Sequence, residues 1–189
     1  MNELRAIGSR IDLTSCDKLD YYNLVSDLLD NELVMKMKEF THHGSTTCFQ
    51  HCLNVSYYNY RICRLFSWNT RAAARAGLLH DLFLYDWHTY KPAKGERLHG
   101  FTHAQCALDN VMENFEITEL EKDIIVKHMF PLNLALPRYR ETVVIILVDK
   151  YCGLIEVAAN AAAVMTYTAA SMIRTIRSKW LEVFSAEQN

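Results

Sequence analysis

Residues 70–83 read TRAAARAGLLHDLF, and this stretch governs how the rest of the chain is read. Asn69 or Thr70 can cap a helix, and alanine and leucine carry it well. The spacing predicts a helix through Ala72–Phe83, with His80 and Asp81 near its end. Two strong polar ligands therefore stand where a buried apolar face should continue. Burying an imidazole and a carboxylate without partners is costly, and a metal ion is an effective partner for both.

The anomaly recurs further along. Asp149 follows the apolar run VVIILV at 143–148, and His128 closes Ile124-Ile125-Val126. A lone anion after such a run needs a cation, either a metal or a salt-bridging Arg or Lys. Upstream, Thr47 with Gln50 matches a capping box that places His51 in the first turns of another helix. Thr102 with Gln105 makes the same match. It starts a helix with His103 in its first turn and leaves His99, ahead of Gly100, outside. Thr118 with Glu121 opens the helix that ends at His128.

Helical periodicity also marks Asp17–Phe40 through Leu24, Leu28, Leu29, Leu33, Val34 and Met37. Asp86–Phe101 reads as a loop, and two closing helices are expected at about Arg140–Tyr151 and Gly153–Phe184. Six Gly and three Pro leave too few turns for a sandwich or barrel. The expectation is an all-α, single-domain bundle of about seven to eight helices over residues 1–189, with the motif-bearing core at about 46–156.

Composition narrows the function. The chain has 189 residues and a formal charge of -2, which argues against an extended nucleic-acid surface but not against a small phosphorylated ligand. The start MNELRAIGSRIDL has no apolar signal region, so Cys16, Cys48, Cys52, Cys63, Cys106 and Cys152 read as reduced thiols of a cytoplasmic protein. Val157–Ile173 is uncharged between Glu156 and Arg174, but it is Ala-, Thr- and Ser-rich. It reads as a buried amphipathic helix and not as a membrane span. Ala158, Ala159, Ala162 and Ala169 permit close helix packing, within one chain or in a homodimer. His42 and His43, in a polar break, could approach the site but read rather as surface residues; His88 reads as surface, and Asp86 could orient a ligand or a water but reads rather as a loop carboxylate without that task. Tyr57, Tyr58 and Tyr60 read as core and rim packing.

Together these residues resemble the HD superfamily of metal-dependent phosphohydrolases. The pattern is carried by His51 in TTCFQHCLNV, His80-Asp81 in AGLLHDLFLYD, His103 in HGFTHAQCALDN, His128 in IIVKHMFPL and Asp149 in ILVDKYC. The chain is similar to bacterial HD-domain proteins known only as predicted hydrolases. The resemblance implies that His51, His80, Asp81 and Asp149 hold a first divalent ion. His103 and His128, with Asp81 bridging, would hold a second, and His80 and Asp81 would be the catalytic pair. This nitrogen and oxygen donor set suits Fe, Mn, Co or Ni, and Zn is also compatible.

Two such cations about 3.5–4 Å apart activate water and hold a phosphate for in-line attack. The implied activity is hydrolysis of a phosphomonoester, phosphodiester or phosphoanhydride in a small phosphorylated molecule, a nucleotide by resemblance. Lys91, Lys94, Arg97, His99 and Lys150, with Arg138 and Arg140 nearby, are the candidates to meet substrate. Two alternatives stay open at this point: a metal-holding sensor without turnover, and a diiron oxygenase. No general acid is evident.

Overall fold

The caps written in the sequence set most of the helix starts. The computed structural model describes residues 16–92 and 98–186, with side chains from 19 to 178 within those ranges. It contains α1 (Cys16–Leu29), α2 (Glu32–Met35), a 3-10 turn (Lys36–Glu39), β1 (Thr41–His43), β2 (Thr46–Thr47), α3 (Cys48–Leu65), α4 (Thr70–Leu79), α5 (His99–Asn114), α6 (Glu119–Lys127) and α7 (Arg140–Ala186). The fold is all-α, and its one sheet among the described residues is the two-stranded β1–β2 hairpin.

Asn69 caps α4 by accepting from Ala72 N, and Thr118 with Glu121 closes a full capping box on α6. Thr47 caps α3 through Gln50 N, but the Gln50 side chain turns instead to Asn54 Oδ1.

The centre of the bundle is the α3–α4 pair, with α7 across α3, α6 against α4 and α5, and α1 against α4. Gly77 makes the central contact possible, since a Cβ there would lie 2.7 Å from Ser56 Cα. Ser56 and Asn59 of α3 then donate to the carbonyls of Ala74 and Ala73. Leu53, Leu78, Leu79, Ile124 and Ile145 fill the space between these helices. Arg75, nearly buried, ties α4 to α1 through Asp27 and the Leu24 carbonyl. Asp123 joins α6 to the start of α7 by accepting from Thr142 Oγ1 and Arg138 N.

Several boundaries differ from the sequence reading. α4 stops at Leu79, so His80 and Asp81 occupy the turn after it. α7 is one helix of 47 residues, about 70 Å long at 1.5 Å per residue, and Gly153 does not break it. Gly153 stays helical and lies under His43, whose Nε2 would be 3.2 Å from an added Cβ.

Residues 161–170 and 172–178 are exposed, which overturns the expectation of a buried helix there. The body of the bundle ends near Asn160, which packs on the Gly44 turn, and α7 continues beyond it. Among the described residues no helix is long and apolar enough to cross a membrane.

Candidate metal centre

Three histidines are oriented by Nδ1–H bonds to main-chain carbonyls, two of them at helix C-termini. An α-helix leaves its last carbonyls without intrahelical donors. His80 and His128 are the C-cap residues of α4 and α6, and each donates its Nδ1–H to the carbonyl three residues back. That carbonyl is Gly77 O at 2.9 Å for His80 and Ile125 O at 2.7 Å for His128. His103, on α5, donates Nδ1–H to His99 O at 3.0 Å. With Nδ1 engaged in this way, Nε2 is the nitrogen each ring has left to offer a cation.

These nitrogens converge. His103 Nε2 and His128 Nε2 are 3.0 Å apart, and Asp81 Oδ1 is 3.4 and 3.5 Å from them. Asp81 Oδ1 and His80 Nε2 are buried without any hydrogen-bond partner. Ligand distances near 2.1 Å put adjacent donors about 3.0 Å apart in an octahedron and about 3.4 Å apart in a tetrahedron. The triangle formed by His103, His128 and Asp81 therefore has the edge lengths of a metal coordination shell.

A second set adjoins it. Asp149 Oδ1 lies 3.1 Å from His51 Nε2 and 3.7 Å from His80 Nε2, which is itself 3.5 Å from Asp81 Oδ2. His51, His80 and Asp149 form one group able to hold an ion, and His80, Asp81 and His128 form another. The donors are nitrogen and oxygen alone, a set that fits a divalent transition metal. All six ligand residues expected from the sequence are thus brought together.

The electrostatics agree with a cluster built around positive charge. Burial pushes the Asp81 carboxyl up, but His80, the hydrogen bond from His42, and then His103 and His128 outweigh it and hold it well below the usual range. Asp149 is likewise held low against burial by the hydrogen bond from His51 and by His80 close beside it. Burial pushes His51 down, yet its bonds to Asp149 and Glu156 leave it well above the ordinary histidine value. His80 is also raised against burial, chiefly by Asp81. His128 is lowered to about 3 by burial and stays neutral. Protons on His51 and His80 are what balance the carboxylates when no cation is bound.

Three residues of the centre lie outside the ligand set expected from the sequence. His42, read as a surface residue, is buried; its Nε2–H donates to Asp81 Oδ2 at 2.9 Å, and its ring stacks on His51 at 4.0 Å. His43, half-buried, meets the His42 ring edge-on. The cause is the tight turn at Gly44, where φ is +61° and Asn160 leaves no room for a Cβ, so the hairpin folds onto α3 and α7.

Glu156 is the third. It accepts from His51 Nδ1 at 2.9 Å and from Asn54 Nδ2 at 2.8 Å. Burial raises its carboxyl, but the His51 bond wins and holds it low. A carboxylate on the far nitrogen fixes the tautomer and orientation of a metal-binding histidine. Its spacing was the available signal: Glu156 lies seven residues after Asp149, two turns along the same helix face.

The substrate candidates fare differently. α5 begins at His99, with Leu98 as a cap lacking any side-chain bond, so the expected Thr102 cap lies four residues too late. Thr102 Oγ1 donates to the His99 carbonyl, and Gly100 packs beneath Leu132 within the first turn. His99 consequently shares a face with His103, ring on ring at 4.6 Å, and burial lowers it to about 4. Lys150 lines the cavity over the cluster, although its Nζ donates to Ile146 O. Lys91 is exposed and does not line that cavity, and Arg140 stacks on Trp68. Lys94 and Arg97 lie outside the described residues. His88 and Asp86 bond to each other at the surface, while Tyr57 and Tyr60 pack in the core.

No protein-family model, curated protein or solved structure matches the chain. The geometry therefore carries the functional argument.

Proposed function

We propose that the chain is a metal-dependent phosphohydrolase acting on a small phosphorylated molecule. The observation that carries this reading is the set of three Nε2 atoms, each aimed by an Nδ1–H bond to a main-chain carbonyl, gathered around the unpartnered Asp81 Oδ1. His51, His80 and Asp149 would hold one divalent ion. His103 and His128 would hold a second, with Asp81 offering an oxygen to each. Divalent ions there would ease ionisation of a water and offset phosphate charge.

The protein's own groups have separable tasks. Asp81 presents Oδ1 to one cluster, and its Oδ2 is oriented by the His42 N–H. Glu156, steadied by Asn54, keeps the His51 Nε2 aimed at Asp149. The cavity beyond leaves room for a substrate whose phosphate meets the cluster. The test is phosphate release by the metal-reconstituted protein and by Asp81→Asn. The reading predicts metal-dependent release that the substitution abolishes. A variant that folds, keeps its metal and keeps full turnover contradicts it.

A further inference from the structure

The cavity over the cluster is strongly two-sided. Its volume is about 770 Å³, within the usual range for small-molecule sites. At one pole stand Asp81, Asp149, His103 and His128. The remaining wall is formed largely by Trp87, Met129, Pro131, Leu132, Leu154 and Val157. Leu132, Leu154 and Val157 are 43%, 68% and 51% exposed, so apolar surface is held open to water beside a polar pole. The Trp87 ring stacks on His99 at 5.4 Å and 12°, and His99 stacks in turn on His103, giving an aromatic column that leads to the cluster.

Among the described residues, cations are scarce on that wall. Among the described lining residues Lys150 is the one lysine or arginine, and its Nζ donates to Ile146 O. A nucleoside triphosphate brings several phosphate charges and a base edge with its own donors and acceptors. Buried without matching groups, such a ligand loses far more than it gains. A ligand with one anionic head and an apolar body matches both halves of the cavity.

We infer that the substrate is a phosphomonoester of an apolar, chain-like or planar alcohol, with its phosphate at the cluster and its body along Trp87, Leu132, Leu154 and Val157. This rests on the hydrolase reading above. Water attacks phosphorus, a P–O bond to the water oxygen forms, and the ester P–O bond breaks. The alcohol departs carrying one of the water protons, and inorganic phosphate remains.

The experiment uses the full chain reconstituted with Mn²⁺. Turnover is measured on straight-chain alkyl phosphates from methyl to octyl, 1-naphthyl phosphate, AMP and ATP. Binding of the matching alkyl phosphonates, which cannot be hydrolysed, is measured by calorimetry. The expected result is kcat/KM rising about fourfold per methylene until the wall is covered, with naphthyl phosphate ahead of AMP. Leu154→Gln, at an exposed position where folding is not at stake, should flatten that slope. AMP or ATP outrunning naphthyl phosphate overturns the inference and leaves the hydrolase reading standing. No turnover, with phosphonate affinity that climbs with chain length and loses its slope in Leu154→Gln, upholds the ligand class and overturns the hydrolase reading. Affinity independent of chain length, together with no turnover, overturns both.

Discussion

The Nε2 atoms of His103 and His128 stand 3.0 Å apart while both Nδ1 atoms donate to main-chain carbonyls. Two bare lone pairs at that distance repel unless a cation or a proton lies between them. Burial keeps His128 neutral, and Asp81 Oδ1 completes a triangle too wide for hydrogen bonds to satisfy well. A metal ion relieves all three groups at once.

Removing one member of that pair should cost metal binding more than folding. His103→Ala should retain the helical circular dichroism of the parent. At a metal concentration of about 100 times Kd the parent gains about 2.7 kcal/mol of stability, seen as a rise in Tm. The variant should show a clearly smaller rise. An equal rise in both proteins would remove His103 from the ligand set.

Metal uptake should release protons. His51 and His80 are raised well above the ordinary histidine value in the metal-free protein, so near pH 7 they carry protons that a cation must displace. The protonated form competes with the metal, and apparent affinity therefore rises as pH rises through the neutral range. Titration with Mn²⁺ in a weakly buffered indicator solution should show acidification. Affinity that is flat between pH 6 and 8 would contradict the assignment of these two residues.

Glu156 offers a test at one remove from the centre. Glu156→Gln keeps the shape and a hydrogen-bonding oxygen for Asn54, but removes the charge that orients His51. Loss of such a carboxylate partner typically costs about 10–100-fold in metal affinity. Competition with a chelator should find a loss of that size with Tm of the metal-free protein little changed. Unaltered affinity would leave Glu156 a purely structural residue.

Gly77 sets two effects against each other. Glycine within a helix ordinarily gives way to alanine with a gain of about 1 kcal/mol. Here the new methyl would sit 2.7 Å from Ser56 Cα, where α3 and α4 touch backbone to backbone. The crowding should win, with a net loss of about 1–3 kcal/mol and a lower Tm. A stabilised Gly77→Ala would show that the helices separate more readily than their packing implies.

The site was legible where polarity broke an apolar pattern. His80-Asp81, His128 and Asp149 each interrupt or end a buried run, and that mismatch is visible without coordinates. The α6 box and the Asn69 cap were equally readable, because capping is a local matter. His42 was not, because its neighbours are polar and its burial comes from a turn at Gly44 that closes on a helix more than a hundred residues away. α7 was divided at Gly153 because sequence signals cannot tell a helix-ending glycine from one that admits a neighbouring ring. The exposure of residues 161–178 depends on where the bundle ends, which no local pattern records.

The central claim is that this cluster of histidines and carboxylates holds metal. Elemental analysis of the purified, untagged protein, repeated after reconstitution with Fe²⁺ or Mn²⁺, tests it most directly. The account predicts two equivalents of a divalent transition metal per chain, falling when Asp81 is replaced by Asn. A protein that takes up no metal, even after reconstitution, would contradict it.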